Sequence, residues 1–168
     1  MIKVFVMVFF FISVFLGVVF YLGKDDAIML NQQHQFVGND VSTAGEYRPG
    51  LLKHIVLFKY KSNVTQTQRE AVASRFLSLK RSMRPGADAP YILSIVEGVQ
   101  NSGEGVGGGF EQGFIVTFKS EGDRNYYVGK PLVGTKGDYD KAHDAFKQFV
   151  APLLSDDNGV LVFDFSLK

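Results

Sequence analysis

The chain has 168 residues, with 18 Lys and Arg against 17 Asp and Glu and a formal net charge of +1. That length suits one ordinary domain with an appendage, and the lack of a basic stripe argues against nucleic acid as the main partner. No cysteine is present, which excludes disulfides, thiolate catalysis, iron–sulfur clusters, cysteine zinc sites and a lipid anchor on cysteine.

The first element is the apolar run from Val4 to Gly23. As a helix, roughly 20 residues at about 1.5 Å each span the ~30 Å hydrocarbon core of a bilayer. Lys3 precedes the run and Lys24-Asp25-Asp26 follows it. Positive charge before the segment predicts a cytoplasmic N-terminus and a globular part outside the membrane, periplasmic or extracellular. The competing reading is a cleaved signal peptide and a secreted product, although Tyr21-Leu22-Gly23 fits a small-x-small cleavage site poorly. Residues 1–24 are therefore expected to be a membrane anchor, a single N-terminal transmembrane helix, or a signal peptide. Residues 25–50 are rich in Gln, Asn, Gly, Ser and Asp with no sustained apolar period, and are expected to be a flexible linker. His34, between Gln33 and Gln35, is read as solvated.

The globular domain is expected over 51–168. A strand over Lys53–Tyr60 is apolar on both faces, with His54, Val56 and Phe58 pointing one way and Ile55 and Leu57 the other. Thr65-Gln66-Thr67-Gln68 matches a capping box. The helix it opens carries Val72, Phe76, Leu79 and Met83 on one stripe and ends at Pro85-Gly86. Strands follow over Tyr91–Glu97 and Phe110–Lys119, joined by the glycine-rich loop Gly98–Gly109. That loop lacks the Gly-Lys-Ser/Thr ending of a phosphate loop and joins strand to strand, so it reads as a hairpin connection. Ser120 is a plausible N-cap for a short helix. A last helix over Asp140–Leu154 turns Tyr139, Ala142, His143, Phe146, Phe149, Val150 and Leu153 to one side, and a strand over Val160–Phe165 closes the chain. The order contains β-α-β-β-α-β, so the predicted class is α+β: a ferredoxin-like antiparallel sheet with helices on one face. The bare face needs cover, and the same face of a second copy is the simplest, giving a homodimer.

Two of the three histidines, His54 and His143, fall on the apolar faces of these elements. Histidine titrates near neutral pH, so an inward-facing pair is either a satisfied structural couple or an acid–base candidate. A metal held by both histidines and Glu97 or Asp164 is possible on residue types, but no close i, i+4 spacing supports it.

Leu52-Lys53-His54-Ile55-Val56-Leu57-Phe58-Lys59, Gly98-Val99-Gln100-Asn101-Ser102-Gly103-Glu104, Gly113-Phe114-Ile115-Val116-Thr117-Phe118, Asp123-Arg124-Asn125-Tyr126-Tyr127 and Val162-Phe163-Asp164-Phe165 come in that order. Together they resemble the successive blocks of the stress-responsive α/β-barrel (Dabb) family, over residues 51–168. The resemblance implies a dimeric α+β barrel. One plant branch, resembling olivetolic acid cyclase, cyclises a linear polyketide without cofactor or metal. Its working tyrosine and two histidines fall here on Tyr127, His143 and His54, which the resemblance makes the candidate catalytic residues. A histidine would remove a carbon-bound proton, Tyr127 would donate to the developing enolate oxygen, and the second histidine would orient the first. The chain departs from the family's Tyr-x-x-His-Pro-x-His pattern. Lys130 stands before Pro131, Leu132–Lys141 intervene before Ala142-His143, and Gln112 replaces a histidine often found early in the third strand. The expected protein is a membrane-tethered homodimer binding a small, largely apolar molecule in a pocket lined by His54, Tyr127 and His143. A cofactor-free lyase or cyclase, a monooxygenase-like enzyme and a ligand-free stress-protective dimer are the alternatives.

Overall fold

A computed structural model describes residue 32, residues 36–133 and residues 139–167. The chain divides into two compact units, Met1–Gly38 and Asn39–Lys168. The expected anchor at 1–24, His34 and residues 134–138 of the insertion lie outside the described residues. Among the described residues, no helix is long and apolar enough to cross a membrane.

The second unit opens with a short helix, α1 (Asn39–Ser42), and turns into strand β1 (Pro49–Phe58). β1 starts earlier than Lys53 because Pro49 already pairs with Ser120, across an irregularity before Leu52. Helix α2 (Gln66–Ser78) carries the capping box read from the sequence. Thr65 Oγ1 accepts from the Gln68 N–H, and Gln68 Oε1 accepts from the Thr65 N–H at 2.8 Å. Strands β2 (Ile92–Val99) and β3 (Gln112–Ser120) form a hairpin through the glycine-rich loop. Helix α3 (Glu121–Val128) has Ser120 as N-cap, its hydroxyl accepting from the Asp123 N–H at 3.0 Å. Helix α4 (Lys141–Val150) is capped by Asp140, and β4 (Val160–Ser166) ends the domain.

The four strands lie in the order β2-β3-β1-β4, every neighbouring pair antiparallel. This is the expected α+β ferredoxin-like sheet. Alternation along β1 buries Leu52, His54, Val56 and Phe58 on one face, where they join Phe114, Val116 and Phe118 of β3. Phe76 of α2 stacks on Phe114 with ring centroids 3.9 Å apart, and Phe146 of α4 meets Phe76 edge-on at 5.1 Å. The opposite face leaves Val96, Ile115, Leu161, Phe163 and Phe165 exposed.

Of the residues 25–50 expected to be a flexible linker, those from Asn39 onward are instead folded. From Asn39 onward the backbone is folded against α3: Ser42 is 1% exposed, and the Asn125 side chain donates to the Ser42 carbonyl at 2.8 Å. The N–H groups of Glu121 and Gly122 donate to the carbonyls of Arg48 and Tyr47 at 3.1 and 3.0 Å. These belong to the first-turn donors that a helix cannot satisfy internally, so this strap completes the N-terminus of α3. The approach is close enough that a Cβ on Gly122 would lie 1.8 Å from the Ala44 carbonyl oxygen.

Candidate functional site: a histidine–tyrosine cluster

The site is assembled by β1, β4, α3 and α4. The inward face of β1 carries His54, 4% exposed, and the β4 register sets Asp164 directly opposite. The imidazole Nδ1–H donates to Asp164 Oδ1 at 2.6 Å, while Asp164 Oδ2 accepts from the Arg124 guanidinium of α3. Burial opposes the carboxylate's charge, but the hydrogen bond and charge of His54, with Arg124, outweigh it and hold Asp164 below the usual carboxylate range. Asp164 is thus an ionised acceptor, which fixes the His54 proton on Nδ1.

Tyr127, at the end of α3, is completely buried. Its ring meets His54 edge-on at 5.6 Å and stacks on His143 at 3.7 Å, 15° from parallel. The first turn of α4 holds His143 because Asp140 Oδ1 accepts the N–H groups of Ala142 and His143; Asp140 Oδ2 accepts from the Tyr91 hydroxyl at 2.6 Å. His143 Nδ1–H donates to the Tyr127 carbonyl at 2.6 Å. Burial lowers the His143 pKa from 6.5 to about 3, so the ring is neutral near pH 7 and its Nε2 keeps a lone pair. Burial, and then the charge of Asp140, raise Tyr127 well above 10.0, so it stays a phenol. Among the described residues its buried hydroxyl has no hydrogen-bond partner. One unanswered O–H donor thus sits beside a neutral basic ring.

The three residues singled out from the sequence, His54, Tyr127 and His143, are therefore brought together. Tyr127 and His143 touch face to face rather than across a gap. Phe118 and Phe146 flank the histidines with centroids 6.4 and 6.5 Å away. Phe163 does not join them, because the β4 alternation turns it to the exposed face. Glu97 is engaged elsewhere, accepting from Gln112 Nε2 at 2.8 Å, while Gln112 Oε1 accepts from Tyr60. Those three line a groove of about 590 Å³ that includes none of the cluster residues. Among the described residues no group of three or more His, Asp or Glu side chains could hold a metal ion. Arg124, Asn125 and Asp140 were not singled out from the sequence as site residues, nor was Asp164 recognised as the partner of His54. Asp164 did carry a signal: it is the lone acid in a strand apolar on both sides, on the parity that faces His54 once β4 pairs with β1.

The model of the stress-responsive A/B barrel domain (Dabb) family matches residues 52–167. No curated protein matches the chain. Among solved structures, an Arabidopsis thaliana protein shares 21% identity, covering 70% of this chain and 95% of its own, with a TM-score of 0.54. The hydroxynitrile lyase of Passiflora edulis shares 19% identity, covering 71% and 95%, with a TM-score of 0.53. A dimeric ferredoxin-like protein of Thermobifida fusca shares 21%, covering 71% and 92%, with a TM-score of 0.50. At such identities these likenesses establish the fold, and fold is separable from activity. With a family match across all four strands but the first residues of β1, and every helix from α2 to α4, the chain belongs to the stress-responsive A/B barrel domain family.

Proposed function

We propose that the protein is a membrane-tethered homodimer that binds a small, largely apolar molecule with one carbonyl or hydroxyl oxygen, at His54, Tyr127 and His143. The observation that carries this is the Tyr127 hydroxyl, buried without a partner among the described residues. Leaving such a group unsatisfied costs about 1–3 kcal/mol, and a ligand oxygen at that spot would recover it. The surrounding rings supply apolar contact, and the neutral His143 offers an acceptor for a ligand hydroxyl. The Val4–Gly23 run supports the tether, with the domain extracytoplasmic. The exposed apolar sheet face and the dimeric Thermobifida fusca relative support the homodimer. The test is NMR titration of the full chain, with labelled tyrosine rings, against benzaldehyde, acetophenone and phenol. The expected result is saturable movement of the Tyr127 resonances by at least one probe and a loss of about tenfold in affinity in Tyr127→Phe, equivalent to about 1.4 kcal/mol. Absence of any saturable shift at millimolar probe would leave a ligand-free structural dimer.

The His54–Asp164 pair favours a second reading, a cofactor-independent lyase or cyclase. An imidazole pinned through Nδ1 to a carboxylate presents Nε2 as a general base, and Tyr127 would donate to the developing oxyanion. The Passiflora edulis relative is named a hydroxynitrile lyase, so cyanide release from an aromatic hydroxynitrile is the direct assay. Wild-type release that His54→Gln abolishes would establish it; equal rates with and without protein would remove it.

A further inference from the structure

We infer that the strap Asn39–Arg48, which lies outside the family-matched residues 52–167, positions His54 through a continuous hydrogen-bond relay. Asn125 and Arg124 are the positioning residues. Asn125 Nδ2 donates to the Ser42 carbonyl at 2.8 Å, and Asn125 Oδ1 accepts from Arg124 Nε at 2.9 Å. Arg124 Nη1 donates to Asp164 Oδ2, and Asp164 Oδ1 accepts from His54 Nδ1. Ser42, Asn125, Arg124 and His54 are all buried. The Asp164 side chain is 23% exposed, so water reaches the relay at that carboxylate, while the bonds from Ser42 to Arg124 are buried and each polarises the next.

The Asn125 amide gives the relay a direction. Its nitrogen faces a carbonyl and its oxygen faces a guanidinium. Turning the amide over would set donor against donor and acceptor against acceptor. The strap carbonyl therefore selects the orientation in which Oδ1 holds Arg124. That guanidinium in turn holds the carboxylate that orients the His54 ring. The strap is also anchored by the backbone bonds from Glu121 and Gly122, by the close approach at Gly122 and by the Arg48–Glu121 ion pair, whose carboxylate lies 3.7 Å from the Arg124 guanidinium as well. The role assigned to the strap rests on His54 belonging to the ligand site; the relay itself does not.

Gly122→Ala in the full chain tests the relay. The added methyl cannot coexist with the Ala44 carbonyl, yet alanine suits a helix better than glycine. The strap should lift while α3 persists. Amide protons of residues 39–48 should lose exchange protection, and the His54 Nδ1–H resonance should move upfield and exchange at least tenfold faster. The His143 Nδ1–H, held by the Tyr127 carbonyl, should change less than threefold. Asn125→Ala cuts the relay at its centre and should affect the His54 proton in the same way. In the wild-type chain, strap amides and the His54 proton should share one opening free energy in native-state exchange. This last measurement stands even where a variant fails to fold. A released strap with an unchanged His54 proton, or wild-type strap opening without exchange at His54, would overturn the relay. Failure of benzaldehyde, acetophenone and phenol to bind would remove the ligand reading and leave these exchange results untouched.

Discussion

Phe76→Ala is expected to lower the unfolding free energy by about 3–5 kcal/mol, the usual cost of truncating a fully buried aromatic. Phe76 is 1% exposed, stacks on Phe114 at 3.9 Å and meets Phe146 edge-on. It touches both the sheet and α4, beside Val72 and Arg75, which also pack α2 inward and onto Phe149. Alanine would leave a void bounded by rings that the sheet and the helices hold in place. A domain has only about 5–15 kcal/mol in total, so the urea midpoint should fall by about a fifth or more. Leu77, the next residue, is 39% exposed, and Leu77→Ala should cost under about 1 kcal/mol. Comparable losses at the two positions would mean that α2 does not dock through Phe76.

Acid should destabilise the wild-type chain well before its carboxylates protonate. The folded pKa of His143 is pushed down to about 3 from 6.5. Between those values the unfolded chain binds more protons than the folded one, so stability falls as pH falls. The slope approaches about 1.4 kcal/mol per pH unit, several kcal/mol across the window. Asp164 adds a loss of the same sign below its ordinary 3.8, because its folded pKa is also depressed. Burial raises the Asp123 carboxyl pKa, which contributes with the opposite sign above 3.8, so over the range from about pH 6.5 to 4 comparison with a His143 variant is what isolates this imidazole. His143→Phe keeps an aromatic ring against Tyr127 and removes the titration. Chemical unfolding at several pH values should show wild type losing several kcal/mol relative to the variant over that range. Parallel curves would mean that the His143 ring is hydrated in the folded protein.

What could be read from the sequence was whatever is local. Thr65 and Ser120 announce their helices because a cap bonds within three residues of itself. Strand and helix periodicity turned His54 and His143 inward, and the resemblance added Tyr127. The groups that organise these residues act across long stretches of chain: Asp164 on His54, Arg124 on Asp164, Tyr91 on Asp140. Each needs the sheet register or the helix docking before it can be seen. The strap was read as linker because no apolar period marks it; backbone bonds and close approach hold it instead. Its one trace is Gly122, a poor helix former placed in the first turn of α3 where only a hydrogen fits under the Ala44 carbonyl.

Edge strand β4 shows apolar side chains on both of its sides, with Val160 and Val162 exposed one way and Leu161, Phe163 and Phe165 the other. With a second copy as the cover, the fold becomes a mass-action quantity. Dilution would favour separated, less stable chains, and each tenfold drop in concentration would remove about 1.4 kcal/mol per dimer. The thermal midpoint should therefore climb with protein concentration.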